Sequence, residues 1–127
     1  MTRGAKNAGF TLVELLVVMA IIAMLLTLAL PRYFHSLDKS RETVLRQNLA
    51  LIRQTLDKYY EDTGKYPDDL EALVNSKYLR TLPFDPVTDS TTTWIIVPPD
   101  DPEKGGVFDI KSGAQGNAQN GSAYKDW

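Results

Sequence analysis

The feature that most constrains this chain is an apolar run near its N-terminus, from Phe10 to Leu30. Of its 21 residues, 18 are hydrophobic. As an α-helix these residues extend about 31 Å, which matches the hydrocarbon core of a bilayer. Arg3 and Lys6 precede the run, and positive charge there favours a cytoplasmic location for that end. We therefore predict one membrane-spanning helix, with the rest of the chain translocated.

The composition of the whole chain excludes several classes of function. It contains 14 Lys and Arg against 16 Asp and Glu, a net charge of −2, which argues against nucleic-acid binding. There is no cysteine, so neither a disulfide framework nor a cysteine-based zinc site can form. His35 is the only histidine, and the sequence has no phosphate-binding loop or nucleophile motif. We predict that the chain is not an enzyme.

One acidic residue, Glu14, lies inside the apolar run. An unpaired carboxylate within lipid is costly, so an intramembrane acid usually indicates a function. The alternative is that Glu14 lies near the membrane surface and complements the positive end of the helix dipole. These residues alone leave both interpretations open.

The short basic leader, the segment Gly9-Phe10-Thr11-Leu12-Val13-Glu14 and the apolar run together resemble the processing signal of type IV prepilins and pseudopilins. The resemblance implies that a prepilin peptidase cuts between Gly9 and Phe10 and then methylates the new α-amino group of Phe10. It also implies that Glu14 pairs with this amine on a neighbouring subunit. Each incoming subunit would then be selected and set in register by charge neutralisation.

Helical periodicity resumes directly after Pro31. One apolar stripe recurs at three- and four-residue spacing: Leu45, Leu49, Ile52, Leu56 and Tyr59 (or Tyr60). We predict one long helix from about Phe10 to about Glu61, kinked or locally loosened at Pro31. A simple bend at Pro31 is one interpretation. Related filaments lose helical structure near this proline on assembly, so the resemblance implies an assembly role.

A small head should follow the helix. Asp68 and Glu71 have the spacing of a capping box before a short helix that ends near Ser76. We predict strands at Thr91–Val97 and Val107–Ser112, with Val107 and Ile110 on opposite faces of the second strand.

These elements predict an α+β, pilin-like fold in which a long N-terminal helix packs on a small antiparallel β-sheet. The first half of the helix would be transmembrane and the second half periplasmic and amphipathic. The chain would divide into a removed leader (1–9), a transmembrane and filament-core helix (10–30), a periplasmic helix (31–62) and a head with a Gly-rich C-terminal loop (63–127).

The end of the chain, residues 113–127, is called the C-terminal loop below. Its first ten residues cannot build a core, but the rings of Tyr124 and Trp127 can pin it to the head. A head this small often needs an additional cross-link, or staple, to be stable. Without cysteine, the candidate for this staple is a calcium ion bound by loop oxygens. The candidate ligands are Asp109, Asn117, Asn120, Ser122 and Asp126.

The resemblance supports this calcium site only in part. Major pseudopilins typically bind calcium in this loop through consecutive acids shortly before the last tryptophan. Here only Asp126 precedes Trp127. The alternative is a loop that is held by its own hydrogen bonds, and a melting temperature unchanged by EDTA would exclude calcium.

Two turn segments, Tyr66-Pro67 and Leu82-Pro83-Phe84-Asp85-Pro86, resemble those of the major pseudopilins of type II secretion. The resemblance implies a bacterial inner-membrane protein with a cytoplasmic N-terminus and a periplasmic head. Its homopolymer would be a periplasmic pseudopilus that drives protein export. The implied partners are minor pseudopilins, a prepilin peptidase, an inner-membrane platform protein, a cytoplasmic assembly ATPase (indirectly) and an outer-membrane secretin.

Two other classes of function compete with this interpretation. The first is a subunit of a type IV pilus, which serves adhesion, motility or DNA uptake. The second is an unrelated single-pass anchor that carries a small binding domain, and the leader junction with Glu14 counts against it.

Charge is also divided along the chain. Residues 32–58 contain 6 basic and 3 acidic side chains, whereas residues 60–127 contain 6 basic and 12 acidic ones. A solvated surface explains such a split in most proteins. In a helical polymer, it would also let the acidic head of one subunit contact the basic helix of another, with Arg46 and Arg53 as test positions.

Overall fold

The structure, a computed structural model, describes residues 9–127. Most of the expected leader, residues 1–8, lies outside the described residues. A long helix, α1 (Leu12–Thr63), is followed by a short helix, α2 (Glu71–Asn75). Two strands, β1 (Ile95–Val97) and β2 (Asp109–Lys111), form an antiparallel sheet. Single 3-10 turns occur at Pro102–Lys104 and Tyr124–Asp126. The predicted α+β class is confirmed.

Helix α1 remains helical through Pro31. Proline has no N–H group, so the carbonyl of Thr27, four residues earlier, lacks its usual helical donor. The helix ends at Thr63, two residues beyond the predicted end. There the Gly64 N–H donates to the Tyr60 carbonyl at 2.8 Å, and Gly64 adopts a φ of 77°. This left-handed conformation after the last turn is one that glycine adopts without steric cost.

Contacts between residues divide the chain into a unit that ends at Leu37 and a unit that spans Asp38–Trp127. In the second unit, α1 supplies one side of the hydrophobic core. Its buried residues share one face because they recur at three- and four-residue spacing. They are Leu45, Leu49, Ile52, Thr55 and Leu56. The apolar stripe predicted from the sequence is therefore the face of α1 that packs on the head.

The other side of the core comes from α2, the sheet and the loops around them. These buried residues are Leu70, Leu73, Leu79, Trp94, Val107 and Ile110. Trp94 is a large side chain with one polar group, and its Nε1–H donates to the Pro83 carbonyl at 2.9 Å. The indole can therefore be buried without an unsatisfied donor.

Strand β1 is shorter than the sequence predicted, and its start at Thr91 was wrong. Thr92 N–H donates to the Ser90 hydroxyl at 3.1 Å, and the Thr93 and Thr88 hydroxyls form a hydrogen bond of 2.6 Å. Side chains of Ser and Thr offer the backbone such local alternatives to a β-ladder. The ladder therefore includes only Ile95–Val97.

Strand β2 begins at Asp109, two residues later than predicted. Val107 N–H donates to the Pro67 carbonyl at 2.9 Å and not to β1. Because Val107 precedes the strand, the two-residue alternation does not apply to it. Val107 and Ile110 are both fully buried, so their predicted location on opposite faces was wrong.

The predicted capping box at Asp68 and Glu71 was also wrong. Helix α2 begins at Glu71, and Leu70 precedes it without a side-chain cap. The carboxylate that caps this turn belongs to Asp69, which accepts a hydrogen bond of 2.8 Å from Ala72 N–H. The acceptor is thus one residue later than the spacing rule placed it.

Candidate functional site

The first turn of α1 contains the residues expected to direct processing and assembly. Thr11 lies immediately before the helix, and its hydroxyl oxygen accepts a hydrogen bond of 3.1 Å from Glu14 N–H. The Thr11 carbonyl accepts the next bond, also 3.1 Å, from Leu15 N–H. Thr11 is therefore the N-cap. This role is not among the sequence predictions, although the Thr-x-x-Glu spacing is typical of such a cap.

The Glu14 side chain is exposed in this first turn. Neither Arg53–Asp109 nor Lys58–Asp62 includes Glu14, and no basic side chain within residues 9–127 forms an ion pair with it. Its position near the positive end of the helix dipole stabilises a carboxylate there. The same carboxylate remains accessible to a positive group on another molecule.

Gly9 and Phe10 precede the helix and are accessible. The Phe10 side chain is 81% exposed. A Cβ atom added at Gly9 would meet no heavy atom within 4 Å. The described fold therefore imposes no packing requirement at either position, and any restriction on residue type there must come from a molecule that binds this junction.

The first half of α1 is exposed, and its residues up to Leu30 are mostly apolar. Every residue from Leu12 to Arg41 is exposed. Among the described residues, α1 is long and apolar enough to cross a membrane, and none of its most apolar stretch is buried. Monomeric soluble proteins rarely expose so large an apolar surface. These side chains require lipid or other protein chains around them, and Pro31 lies within this exposed region.

The candidate calcium ligands are largely occupied by other partners. Asp109 Oδ1 accepts from Arg53 Nε at 2.8 Å and from Ile110 N–H at 2.7 Å. Asn120 Oδ1 accepts from the Ser122 N–H at 3.0 Å and from the Ser122 hydroxyl at 2.6 Å. Ser122 Oγ in turn accepts from Trp127 Nε1 at 2.8 Å. These oxygen atoms serve as acceptors within the protein.

The remaining two candidate ligands, Asn117 and Asp126, do not lie in a cluster of acidic side chains of the described chain. Asn117 lies opposite Ala123 in an isolated β-bridge, and Asp126 lies in the last 3-10 turn. No group of three or more His, Cys, Asp or Glu side chains in residues 9–127 could hold a metal ion. Since calcium prefers six to eight oxygen ligands with several carboxylates, this donor arrangement does not fit it. Calcium binding by these residues stays a prediction.

The predicted anchoring of the C-terminal loop by its aromatic rings is confirmed. Tyr124 and Trp127 pack against the core, with their ring centroids 5.2 Å apart. The Tyr124 hydroxyl donates to Glu42 Oε1 at 3.1 Å. The pKa of Tyr124 is raised above its usual value, mainly by burial and next by this hydrogen bond to Glu42. The phenol therefore remains a donor at neutral pH.

Asp85 has a structural role that sequence reasoning missed. It is fully buried, and its carboxylate accepts hydrogen bonds from the Ser112 hydroxyl, from Val87 N–H at 2.9 Å and from Thr88 N–H at 3.3 Å. The sequence marks Asp85 only as part of a Leu-Pro-x-Asp-Pro turn. No local pattern links it to Ser112, which follows β2. Asp85 thus joins this turn to the end of the sheet.

Comparison with known proteins gives two kinds of match. Residues 4–30 match the family described as "Prokaryotic N-terminal methylation motif". The chain is 33% identical over 97 residues to "Type II secretion system core protein G" of Pseudomonas aeruginosa, covering 64% of this chain and 68% of the relative. The protein of the same name from Klebsiella pneumoniae is 30% identical over 97 residues, covering 64% and 69% respectively.

A pilus protein is also similar. The chain is 34% identical over 79 residues to "Fimbrial protein EcpC" of Eikenella corrodens, which covers 58% of this chain and 52% of the relative. No solved structure matches the chain significantly. The core protein G matches cover a larger share of both partners than the pilus match does. The chain therefore belongs to the core protein G family of type II secretion, the G-type pseudopilins among the type IV pilin-like proteins.

Proposed function

We propose that this chain is a structural subunit, and not an enzyme, that polymerises into a periplasmic pseudopilus which drives protein export by type II secretion. The observation that carries the proposal is the extent of the similarity to core protein G. The alignment extends over 97 positions and covers 64% of this chain, whereas the methylation motif covers only residues 4–30. The likeness therefore includes the region beyond the processing signal that all such proteins share.

The proposed topology follows from the first 41 residues. The basic leader stays in the cytoplasm, residues 10–30 span the inner membrane and later form the filament core, and residues 31–62 with the head (63–127) lie in the periplasm. Support comes from the apolar, fully exposed first half of α1 and from the charge asymmetry around it. The leader, residues 1–9, is removed before assembly.

Three residues carry assembly in this proposal: Phe10, Glu14 and Pro31. Cleavage leaves a positive amine on Phe10 close to the positive end of the α1 dipole, which is unfavourable in one isolated chain. Pairing of this amine with Glu14 of a neighbouring subunit neutralises both charges in a medium where either alone is costly. Pro31 leaves the Thr27 carbonyl without a helical donor, so local unwinding there breaks fewer hydrogen bonds.

The proposed partners follow from this function. A prepilin peptidase cuts and methylates the chain, and minor pseudopilins complete the filament. An inner-membrane platform protein couples the filament to a cytoplasmic assembly ATPase, which acts indirectly. An outer-membrane secretin receives the exported proteins.

The similarity to a fimbrial protein favours one second candidate, a subunit of a type IV pilus. A gene deletion distinguishes the two. Loss of a pseudopilin should retain exported proteins in the periplasm and leave surface fibres unchanged, and the wild-type gene should restore export. A deletion strain that exports its proteins normally but lacks surface fibres would contradict the pseudopilus and support the pilus.

A substitution at Gly9 should block processing without disturbing the fold. Because a Cβ at Gly9 meets no atom of the described chain, Gly9→Val is expected to insert and fold normally. Its branched side chain should prevent the extended junction from binding in the protease cleft. Mass spectrometry should find the uncleaved chain of 127 residues instead of a methylated product that lacks the first nine.

A matched control for this experiment is Gly4→Val, the same replacement within the leader but away from the junction. It should be cleaved at the wild-type rate. If Gly9→Val is also cleaved at that rate, the assigned junction is incorrect.

A further inference from the structure

The C-terminal loop is held against α1 by charged side chains of the helix. Glu42 Oε1 accepts two hydrogen bonds from the loop, one from Gln119 N–H at 2.8 Å and one from the Tyr124 hydroxyl at 3.1 Å. These contacts join residues 77 and 82 positions apart. One helix carboxylate therefore fixes both the middle and the end of the loop.

Two arginines of the same helix hold the last residue. The Arg46 guanidinium lies 3.9 Å from the centre of the Trp127 ring, a cation–π geometry. Arg53 Nη2 donates to the main-chain oxygens of Trp127 at 2.8 Å and Ile110 at 3.0 Å, while its Nε donates to Asp109. Arg53 thus ties the loop, β2 and α1 together through one planar group.

The three helix residues lie on one face of α1. At about 100° per residue, Arg46 and Arg53 fall within about 40° of Glu42 around the axis. This polar face runs beside the buried stripe that contains Leu45 and Leu49. The loop therefore lies along three charged side chains of α1: the Glu42 acceptor, the Arg46 cation and the Arg53 donor.

The oxygen atoms that would bind a cation are used within this arrangement. The Asp109 carboxylate pairs with Arg53, and the side chains of Asn120 and Ser122 bond to one another. An arginine so close to the candidate ligands would also repel a divalent cation. Calcium would have to displace contacts that already satisfy these groups.

We propose that α1 fastens the C-terminal loop through Glu42, Arg46 and Arg53, and that these contacts take the place of a calcium staple in this chain. The network supplies hydrogen bonds and a ring contact to a loop whose apolar residues are three alanines and the rings of Tyr124 and Trp127. The inference does not depend on filament formation, because it concerns contacts within one subunit.

The test uses the full chain in detergent micelles and a lysine-specific endoproteinase. Lys125 is exposed, and its cleavage, which releases Asp126 and Trp127, should require the loop to detach locally. We expect the same cleavage rate and melting temperature in excess EDTA and in millimolar calcium. Arg53→Met should speed cleavage more than about tenfold, since it removes the charge-assisted hydrogen bond to Trp127 and the two that hold the guanidinium on β2.

A milder variant keeps the test decisive if Arg53→Met fails to fold. Arg46→Met removes the cation over Trp127 without touching the core and should speed cleavage about threefold. Arg41→Met, at an exposed arginine of α1 with no ion pair among the described residues, is the matched control and should behave as wild type. Protection that EDTA abolishes and calcium restores, or a wild-type rate in Arg46→Met, would overturn the proposal.

Discussion

Filament assembly is expected to fall at least about tenfold when Glu14 is replaced by alanine, because under the proposed charge pairing the subunit then lacks the carboxylate for the Phe10 amine of its neighbour. Membrane insertion and cleavage should remain at wild-type levels. In the described chain the Glu14 side chain is exposed and makes no ion pair, so its removal breaks no ion pair within residues 9–127. The measurement is the yield of sheared filaments from cells that contain equal amounts of processed subunit.

Two further variants separate charge from shape at this position. Glu14→Gln preserves the size of the side chain but not its charge, and it should assemble as poorly as Glu14→Ala. Glu14→Asp retains the charge and should recover part of the yield. Normal filament yield from Glu14→Gln would rule out charge pairing as the basis of assembly.

Asp85→Ala should destabilise the head by about 3 kcal/mol, because it leaves a buried hydroxyl and two N–H groups without their acceptor. These donors belong to Ser112, Val87 and Thr88. Asp85 is fully buried, so water cannot replace the lost carboxylate without opening the turn. Denaturant-induced unfolding of the full chain in detergent micelles, followed by tryptophan fluorescence, measures the change in the free energy of unfolding.

Two other substitutions to alanine serve as comparisons for Asp85→Ala, one at an exposed aspartate and one at a hydrogen-bond donor to Asp85. Asp100→Ala removes an exposed carboxylate and should change stability by less than about 0.5 kcal/mol. Ser112→Ala removes one of the three donors and should have an intermediate effect of about 1 kcal/mol. An Asp85→Ala protein as stable as Asp100→Ala would show that the buried carboxylate does not hold the turn to the sheet.

The contacts of Arg46 and Arg53 change how the division of charge along the chain can be tested. One hypothesis is that the basic helix of one subunit contacts the acidic head of another in the polymer. Arg46 and Arg53 are its test positions. Both bind the C-terminal loop of their own chain, so reversing their charge would disturb the subunit itself. Arg32, Lys39 and Arg41 are exposed and make no ion pair among the described residues. They are the better positions for that experiment.

Much of this protein follows from the sequence alone, because its main signals are local. The apolar run predicts a membrane-spanning helix from length and composition, and the three- and four-residue spacing of Leu45, Leu49 and Ile52 predicts which face packs on the head. The junction at Gly9 and Phe10, with Glu14 at a fixed distance, predicts the processing signal, and residues 4–30 match the methylation-motif family. Each of these features depends on residues that are neighbours along the chain.

Only the tertiary structure decided the features that depend on distant residues. Asp85 meets Ser112 across 27 positions, and Glu42 meets Tyr124 across 82. Hydroxyl groups next to β1 shortened the strand by offering closer partners than the ladder. Five oxygen-bearing residues suggested a calcium site in the sequence, but the fold pairs one of them, Asp109, with Arg53. Composition fixes which groups can bond, whereas packing determines which partner lies near enough to do so.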